Sequence, residues 1–298
     1  MSAPSSDQTD LPRDWGHYLS NLAIVGLIRL TLMLPYTFRV QVMGAVVQRV
    51  IGPLAGYKRR ALDNLAFIYP DMPARKRADI AAHCLNNVGR TFIENYSPDD
   101  FPARMAANAL EGDGVAPLEE AVAQGKPVIL VSGHYGNYEA TRAALVARGL
   151  NIGGLYRDMK NPYFNAHYVK TMEAFGGPVF AQGRRGTAGF VRHLKEGGQL
   201  VLLFDQHVFE APVFDFLGQP AHTAPSAAEL ALRYDALLIP FYGIRQPDGL
   251  TFRTVLEAPI APSDPITMTQ ALSDSLAERI KDDPAQWFWV HRRWRPQD

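Results

Sequence analysis

A chain of 298 residues can bury one large core or two modest ones, and its 47% apolar and 20% charged residues describe a globular protein rather than a disordered one. Thirty basic residues balance thirty acidic ones, so no whole-molecule field argues for nucleic acid as a partner. Cys84 is the single cysteine, which excludes an intramolecular disulfide and a cysteine-rich zinc site and fits a reducing compartment.

Residues 1–16 are polar and carry Asp7, Asp10 and Asp14 where an export signal wants positive charge. Two apolar runs follow, Leu22 to Leu34 and Val40 to Leu54, separated at Pro35 and interrupted by Arg29, Gln41, Gln48 and Arg49. Each is shorter than the roughly 20 apolar residues of a spanning helix, so the pair reads as an interfacial hairpin or as ordinary buried helices, with a single tilted span as a further alternative. Helices are expected over 58–68, 73–95 and 114–124, the second with Ile80, Cys84, Val88 and Phe92 on one buried face.

From Gly125 the texture changes. Pro127–Val131 is a continuous apolar run bounded by glycine, which suits a strand covered on both faces. Strands are then expected at 152–156, 178–180, 200–204, 237–244 and 251–256, with helices at 139–148, 162–175, 187–195, 224–234 and 267–281. Pro247-Asp248-Gly249 predicts a hairpin near one edge. The alternation implies an α/β fold: a mixed, mostly parallel sheet flanked by helices, with an apolar helical N-terminal part. One continuous domain over 1–298 is expected, with apolar membrane-associated helices at 1–56, a helical part at 57–124 and an α/β core at 125–298.

The sharpest chemical signal is Ser132-Gly133-His134-Tyr135-Gly136-Asn137-Tyr138-Glu139, placed directly after the apolar strand and before a helix. Open α/β sheets bind ligands outside the carboxyl ends of their strands, which is where this segment falls. Gly133 and Gly136 bracket the histidine and permit close substrate approach. His134 and Glu139, five apart, do not share a helical face, but a turn at Gly136 can bring the carboxylate back onto one imidazole nitrogen. The pair then reads as a general base with Glu139 as its orienter, the logic of a hydrolase triad without the serine.

This motif and four further segments resemble the bacterial lipid A biosynthesis (lauroyl/myristoyl) acyltransferase family, which shares a His-x4-acid signature with the lysophospholipid acyltransferase-like superfamily. The segments are 156–162 (Tyr-Arg-Asp-Met-Lys-Asn-Pro), Asp205-Gln206, 216–224 (Phe-Leu-Gly-Gln-Pro-Ala-His-Thr-Ala) and 289–294 (Trp-Val-His-Arg-Arg-Trp). The resemblance covers about residues 20–295 and implies O-acyl transfer from an acyl carrier protein or CoA thioester to a membrane-lipid hydroxyl, without a cofactor. It implies work at the cytoplasmic face of the bacterial inner membrane, with a lipid A precursor or a lyso-aminolipid as acceptor. It implies Arg157 near the acceptor or oxyanion and Asp205 lining the site. With Gly133, Asn137 and Arg184, these complete the substrate-binding candidates.

Arg184, Arg185 and Arg192 form a basic patch that fits an anionic headgroup or a solvated helix start. The Trp287–Arg295 tail, rich in Trp and Arg, fits a membrane interface, an anionic carrier surface or simple core packing. His134, Glu139, Asp205 and His207 also admit a metal-dependent hydrolase, although no His-Glu-x-x-His spacing is present and no metal is expected. A serine esterase would need Gly-x-Ser-x-Gly, which is absent around Ser132. A non-catalytic lipid-binding protein would keep the apolar N-terminus but would not need His134.

Overall fold

The computed structural model describes residues 14–294. Asp14 caps the first helix, α1 (Trp15–Leu32), accepting hydrogen bonds from the Gly16 and His17 amides. Pro35 cannot continue that helix and instead opens α2 (Tyr36–Val46). A π-helical segment, Val47–Ile51, and the short α3 (Gly52–Leu54) complete the N-terminal part. No helix among the described residues is long and apolar enough to cross a membrane. Then come α4 (Tyr57–Ile68), α5 (Ala74–Asn95), α6 (Asp100–Ala106), the two-residue β1 (Leu110–Glu111) and α7 (Val115–Ala123).

The α/β core follows as β2 (Val128–Ser132), α8 (Tyr138–Val146), β3 (Ile152–Tyr156), α9 (Pro162–Ala174), β4 (Val179–Ala181), α10 (Arg184–Lys195) and β5 (Gln199–Leu203). After β6 (Val213–Phe216) and β7 (Gln219–His222) come α11 (Ser226–Tyr234), β8 (Leu237–Arg245), β9 (Phe252–Leu256) and α12 (Pro265–Asp282). The main sheet has the order β1-β9-β8-β2-β5-β3-β4, and only the β8–β9 pair is antiparallel. The fold is therefore the expected mixed, mostly parallel sheet between helices. The hairpin at Pro247–Gly249 joins β8 to β9, one strand in from the edge that β1 forms.

Strand β2 is buried at all five positions, as a run covered on both faces must be. Ile129 and Val131 join Leu200, Phe190 and Leu194 in one cluster, so α10 covers that face. Val128, Leu130 and Val201 pack with Leu145 of α8 on the other. Helix α9 belongs to the α8 side, where Phe164 and Phe175 meet Ala140, Ala143 and Ala144.

Besides the short α6 and β1, for which no element was expected, two features differ from the sequence reading. A separate β6–β7 hairpin stands where no strands were expected; it turns through Leu217 and Gly218, both at positive φ, and buries Phe214 and Phe216 on alternate positions. Helix α10 begins three residues earlier than expected, because Gly183, at φ 132°, turns the chain into a helix whose first turn holds Arg184 and Arg185. Of the Trp-rich tail, Trp287 and Trp289 belong to the core, fully buried and packed edge-to-face at 4.7 Å, while Arg292 is exposed and Arg295 lies outside the described residues.

Candidate active site

Parallel pairing of β2 with β5 sets the register of the site. Ser132 lies opposite Leu203, so the residues two positions beyond each strand end, His134 and Asp205, come side by side. His134 Nδ1 sits 2.7 Å from Asp205 Oδ1. The His134 main-chain N–H donates to Asp205 Oδ2 at 2.8 Å, and the Trp287 indole N–H donates to the same oxygen at 2.8 Å. The carboxylate is fully buried. Burial alone would raise its pKa, yet the adjacent His134, through charge and hydrogen bonds, holds it well below the usual carboxylate range. An ionised carboxylate only accepts, so neutral His134 carries its proton on Nδ1 and presents the Nε2 lone pair on the opposite edge of the ring.

The turn that carries His134 is held by backbone approach. Gly136 has φ +57°, and a Cβ there would collide with the Gly243 carbonyl oxygen. Its N–H donates to the Gln286 carbonyl (2.9 Å), the Asn137 N–H to that of Gly243 (2.9 Å), and the Phe288 N–H to that of His134 (3.0 Å). The C-terminal segment thus clamps the histidine turn against β8. His291 packs edge-on to the His134 ring with centroids 4.6 Å apart. Burial and the neighbouring His134 push the His291 pKa down to about 3, so this second imidazole stays neutral.

His134 stands where two cavities meet. A cleft of about 350 Å³ is lined by Glu139, Arg142, Arg157, Gln182 and Gln206 among others. A second cavity of about 290 Å³ runs between α5 and the 286–288 segment and is lined chiefly by apolar side chains, including Cys84, Val88, Phe92 and Phe288. His134, Tyr138, Met159 and Tyr168 line both. Burial pushes the Cys84 thiol up to about 12, so the apolar cavity contains no thiolate.

The carboxylate on the imidazole is therefore that of Asp205 and not Glu139. Glu139 lies in the first turn of α8, where its amide is capped by the Asn137 side chain at 3.1 Å, and its carboxylate accepts from Arg142 one turn along at 2.9 Å. Arg142 is fixed in turn by the Gly176 carbonyl. On the helix started by Asn137, Glu139 pairs with Arg142 and lines the cleft.

The remaining candidates divide. Arg157 is exposed and lines the cleft, with its Nε 3.2 Å from Gln182 Oε1. Asp205 is too deep to line anything and acts through His134. Asn137 is fully buried and donates to Glu94 (2.9 Å), itself paired with Arg245, so it belongs to a structural network and not to a substrate surface. Gly133 is likewise interior; a Cβ there would strike Leu276 and crowd Asp205. Arg184 lies outside the cleft, in a separate groove along α10. His207 packs its ring against His222, 5.5 Å between centroids, and among the described residues no group of three or more His, Cys, Asp or Glu is placed to hold a metal ion. Trp287, His291 and Arg142 were not singled out as site residues from sequence. The Trp-rich tail was a visible signal, but not one that pointed to Asp205.

The model of the bacterial lipid A biosynthesis acyltransferases matches residues 3–296. The chain belongs to that family. Among similar proteins, the lipid A biosynthesis lauroyltransferase of Escherichia coli K12 is 27% identical over 95% of this chain and 92% of its own length. The lipid A biosynthesis acyltransferase of Haemophilus influenzae is 22% identical over 94% and 87%. A phosphatidylinositol mannoside acyltransferase of Mycobacterium tuberculosis is 24% identical over 78% and 75%. This acyltransferase therefore carries its His-x4-Glu signature in a setting where the histidine's carboxylate partner comes from a different strand.

Proposed function

We propose that this acyltransferase moves a fatty acyl group from a thioester, on acyl carrier protein or CoA, to a hydroxyl of a membrane lipid. The observation that carries the reading is the position of His134 at the junction of a polar cleft and an apolar cavity, with its Nδ1 on a buried, ionised Asp205. His134 Nε2 takes the proton of the acceptor hydroxyl as its oxygen bonds to the thioester carbonyl carbon. The tetrahedral adduct collapses with loss of the thiolate, which recovers the proton from the imidazolium. Asp205 keeps the tautomer and stabilises that imidazolium, while Arg157 offers its guanidinium to the oxyanion or to an acceptor phosphate. The apolar cavity takes the acyl chain; the cleft takes the acceptor headgroup. Acceptors of lipid A precursor type, phosphatidylinositol mannoside type or lyso-aminolipid type all fit this division, since each offers a hydroxyl on an amphipathic body.

The same reading seats the protein on the cytoplasmic face of the inner membrane. Trp15, Leu19, Leu22, Leu30 and Met33 of the α1 region are exposed, as are Phe38 and Leu54. An apolar surface of that extent fits a lipid interface. Helix α1 packs on α9, where Asn161 donates to the His17 carbonyl at 2.8 Å, and α9 supplies Tyr168 and Met172 to the cleft wall. Membrane lipid would thus reach the cleft without leaving that surface.

The test is transfer from a radiolabelled acyl thioester to a panel of lysolipids, with water alone as control and with and without chelator. Transfer that survives chelation and is lost in His134→Ala is the expected result. Hydrolysis that chelation abolishes would point to a metal-dependent hydrolase, and silence throughout would point to a lipid-binding protein.

A further inference from the structure

Helix α10 carries an open groove of about 860 Å³ that the acyl-transfer reaction does not use. The groove is lined by Arg184 at one end and by Arg192, Lys195, Glu196 and Tyr234 at the other, with the smaller Thr187, Ala188 and Val191 between them. At 12 residues the helix runs about 18 Å. Among the described residues none of Arg184, Arg185, Arg192 or Lys195 forms an ion pair. Arg184 and Arg185 moreover stand in the first turn, where the helix dipole disfavours cations, and no acidic residue offsets them there. A chain with no net charge has gathered three cations, Arg184, Arg192 and Lys195, against one acid, Glu196, along this groove, with Arg185 beside it.

The groove begins where the cleft ends. Gln182 lines the cleft and bonds Arg157, and the next two residues, Gly183 and Arg184, already line the groove. The two cavities share no lining residue but meet in the chain at consecutive residues, Gln182 and Gly183. The groove also lies on the face of the sheet opposite α8 and α9, because Phe190 and Leu194 of α10 pack with Leu200, whereas Leu145 packs with Val201. The apolar surface of α1 belongs to the α9 side, so a bilayer seated there leaves α10 open to water.

We propose that α10 docks the acidic face of the protein that carries the acyl thioester, so that its arm enters the cleft past Gln182 and Arg157. This rests on the thioester reading above and supplies its missing partner surface. Cations strung along about 18 Å match an extended acidic helix better than the compact charge of a nucleotide diphosphate or a single lipid headgroup.

The experiment compares one acyl group on two donors, an acidic carrier protein and pantetheine, in wild type and in Arg192→Glu/Lys195→Glu, with fold checked by circular dichroism. Binding of the carrier without its acyl group is measured in parallel. The variant is expected to raise KM for the carrier-borne donor by about tenfold more than KM for the pantetheine donor, with the difference shrinking at high salt. Arg192→Gln/Lys195→Gln should show a smaller shift in the same direction. An equal effect on both donors, or none on either, overturns the proposal. So does equal slowing of both donors accompanied by lost binding to anionic vesicles, which would assign the groove to lipid headgroups. Carrier binding by wild type without transfer from either donor would leave the docking surface standing and remove the acyl-transfer reading instead.

Discussion

Two carboxylates lie within reach of the cleft, and their environments differ in kind. Asp205 arrives from 71 residues away in sequence and takes three hydrogen bonds, two from His134 and one from Trp287. Glu139 sits five residues from the histidine and spends its charge on Arg142, a neighbour one helical turn along. Proximity in sequence thus produced a helix-internal ion pair, while strand register produced the base–acid pair. A carboxylate close to a histidine in sequence is constrained by its own helix; one delivered by an adjacent parallel strand is aimed at the same point in space.

The strongest test of that contrast removes the imidazole and its partner. His134→Ala should lower kcat by about 10²–10⁴-fold, and Asp205→Asn by roughly 10²-fold with little change in KM, because an amide cannot fix the tautomer as an ionised carboxylate does. The double variant should be no worse than His134→Ala alone, since both act as one unit; additive losses would separate them.

Glu139→Gln should cost less, about tenfold in turnover, the worth of one hydrogen bond in the cleft wall. Should it cost more than Asp205→Asn, the roles assigned to the two carboxylates are reversed. Further from the chemistry, Val88→Phe narrows the apolar cavity and should shift preference toward shorter acyl donors by several-fold, read from competition between donors of different length.

The smallest effect is on stability. His291 has a folded pKa depressed to about 3 against an ordinary value of 6.5, so the unfolded chain binds its proton first. Its contribution to stability is complete above pH 6.5 and is lost as pH falls toward 3. His291→Phe, which keeps a ring against His134, should therefore show a shallower fall of Tm between pH 6.5 and 4 than wild type. An unchanged slope would mean that His291 is protonated in the folded protein.

Much of this fold was legible beforehand. The strand at β3 was expected with its observed ends, and the buried β2 and β5 were found from uninterrupted apolar runs, because a strand covered on both faces has no polar side to interrupt it. The β6–β7 hairpin was not, since its four-residue strands bury only alternate positions and contain Gln219 and Pro220. His134 was legible from the glycines around it. Asp205 was named as lining the site through the family resemblance, but its bond to His134 was not, because nothing local in the sequence states which strands are neighbours.

What the sequence determined by itself was local: the apolar runs that must become buried strands, the breaks at Pro35 and Gly136, and a histidine placed beyond a strand end. These follow from periodicity and backbone sterics, which act over a few residues. What only the tertiary structure decided was partnership. That β2 pairs with β5, that Trp287 returns to bond Asp205, and that Asn137 faces Glu94 depend on contacts between segments 43 to 82 residues apart. Such contacts are fixed by the packing of the whole core and not by the spacing within any one motif.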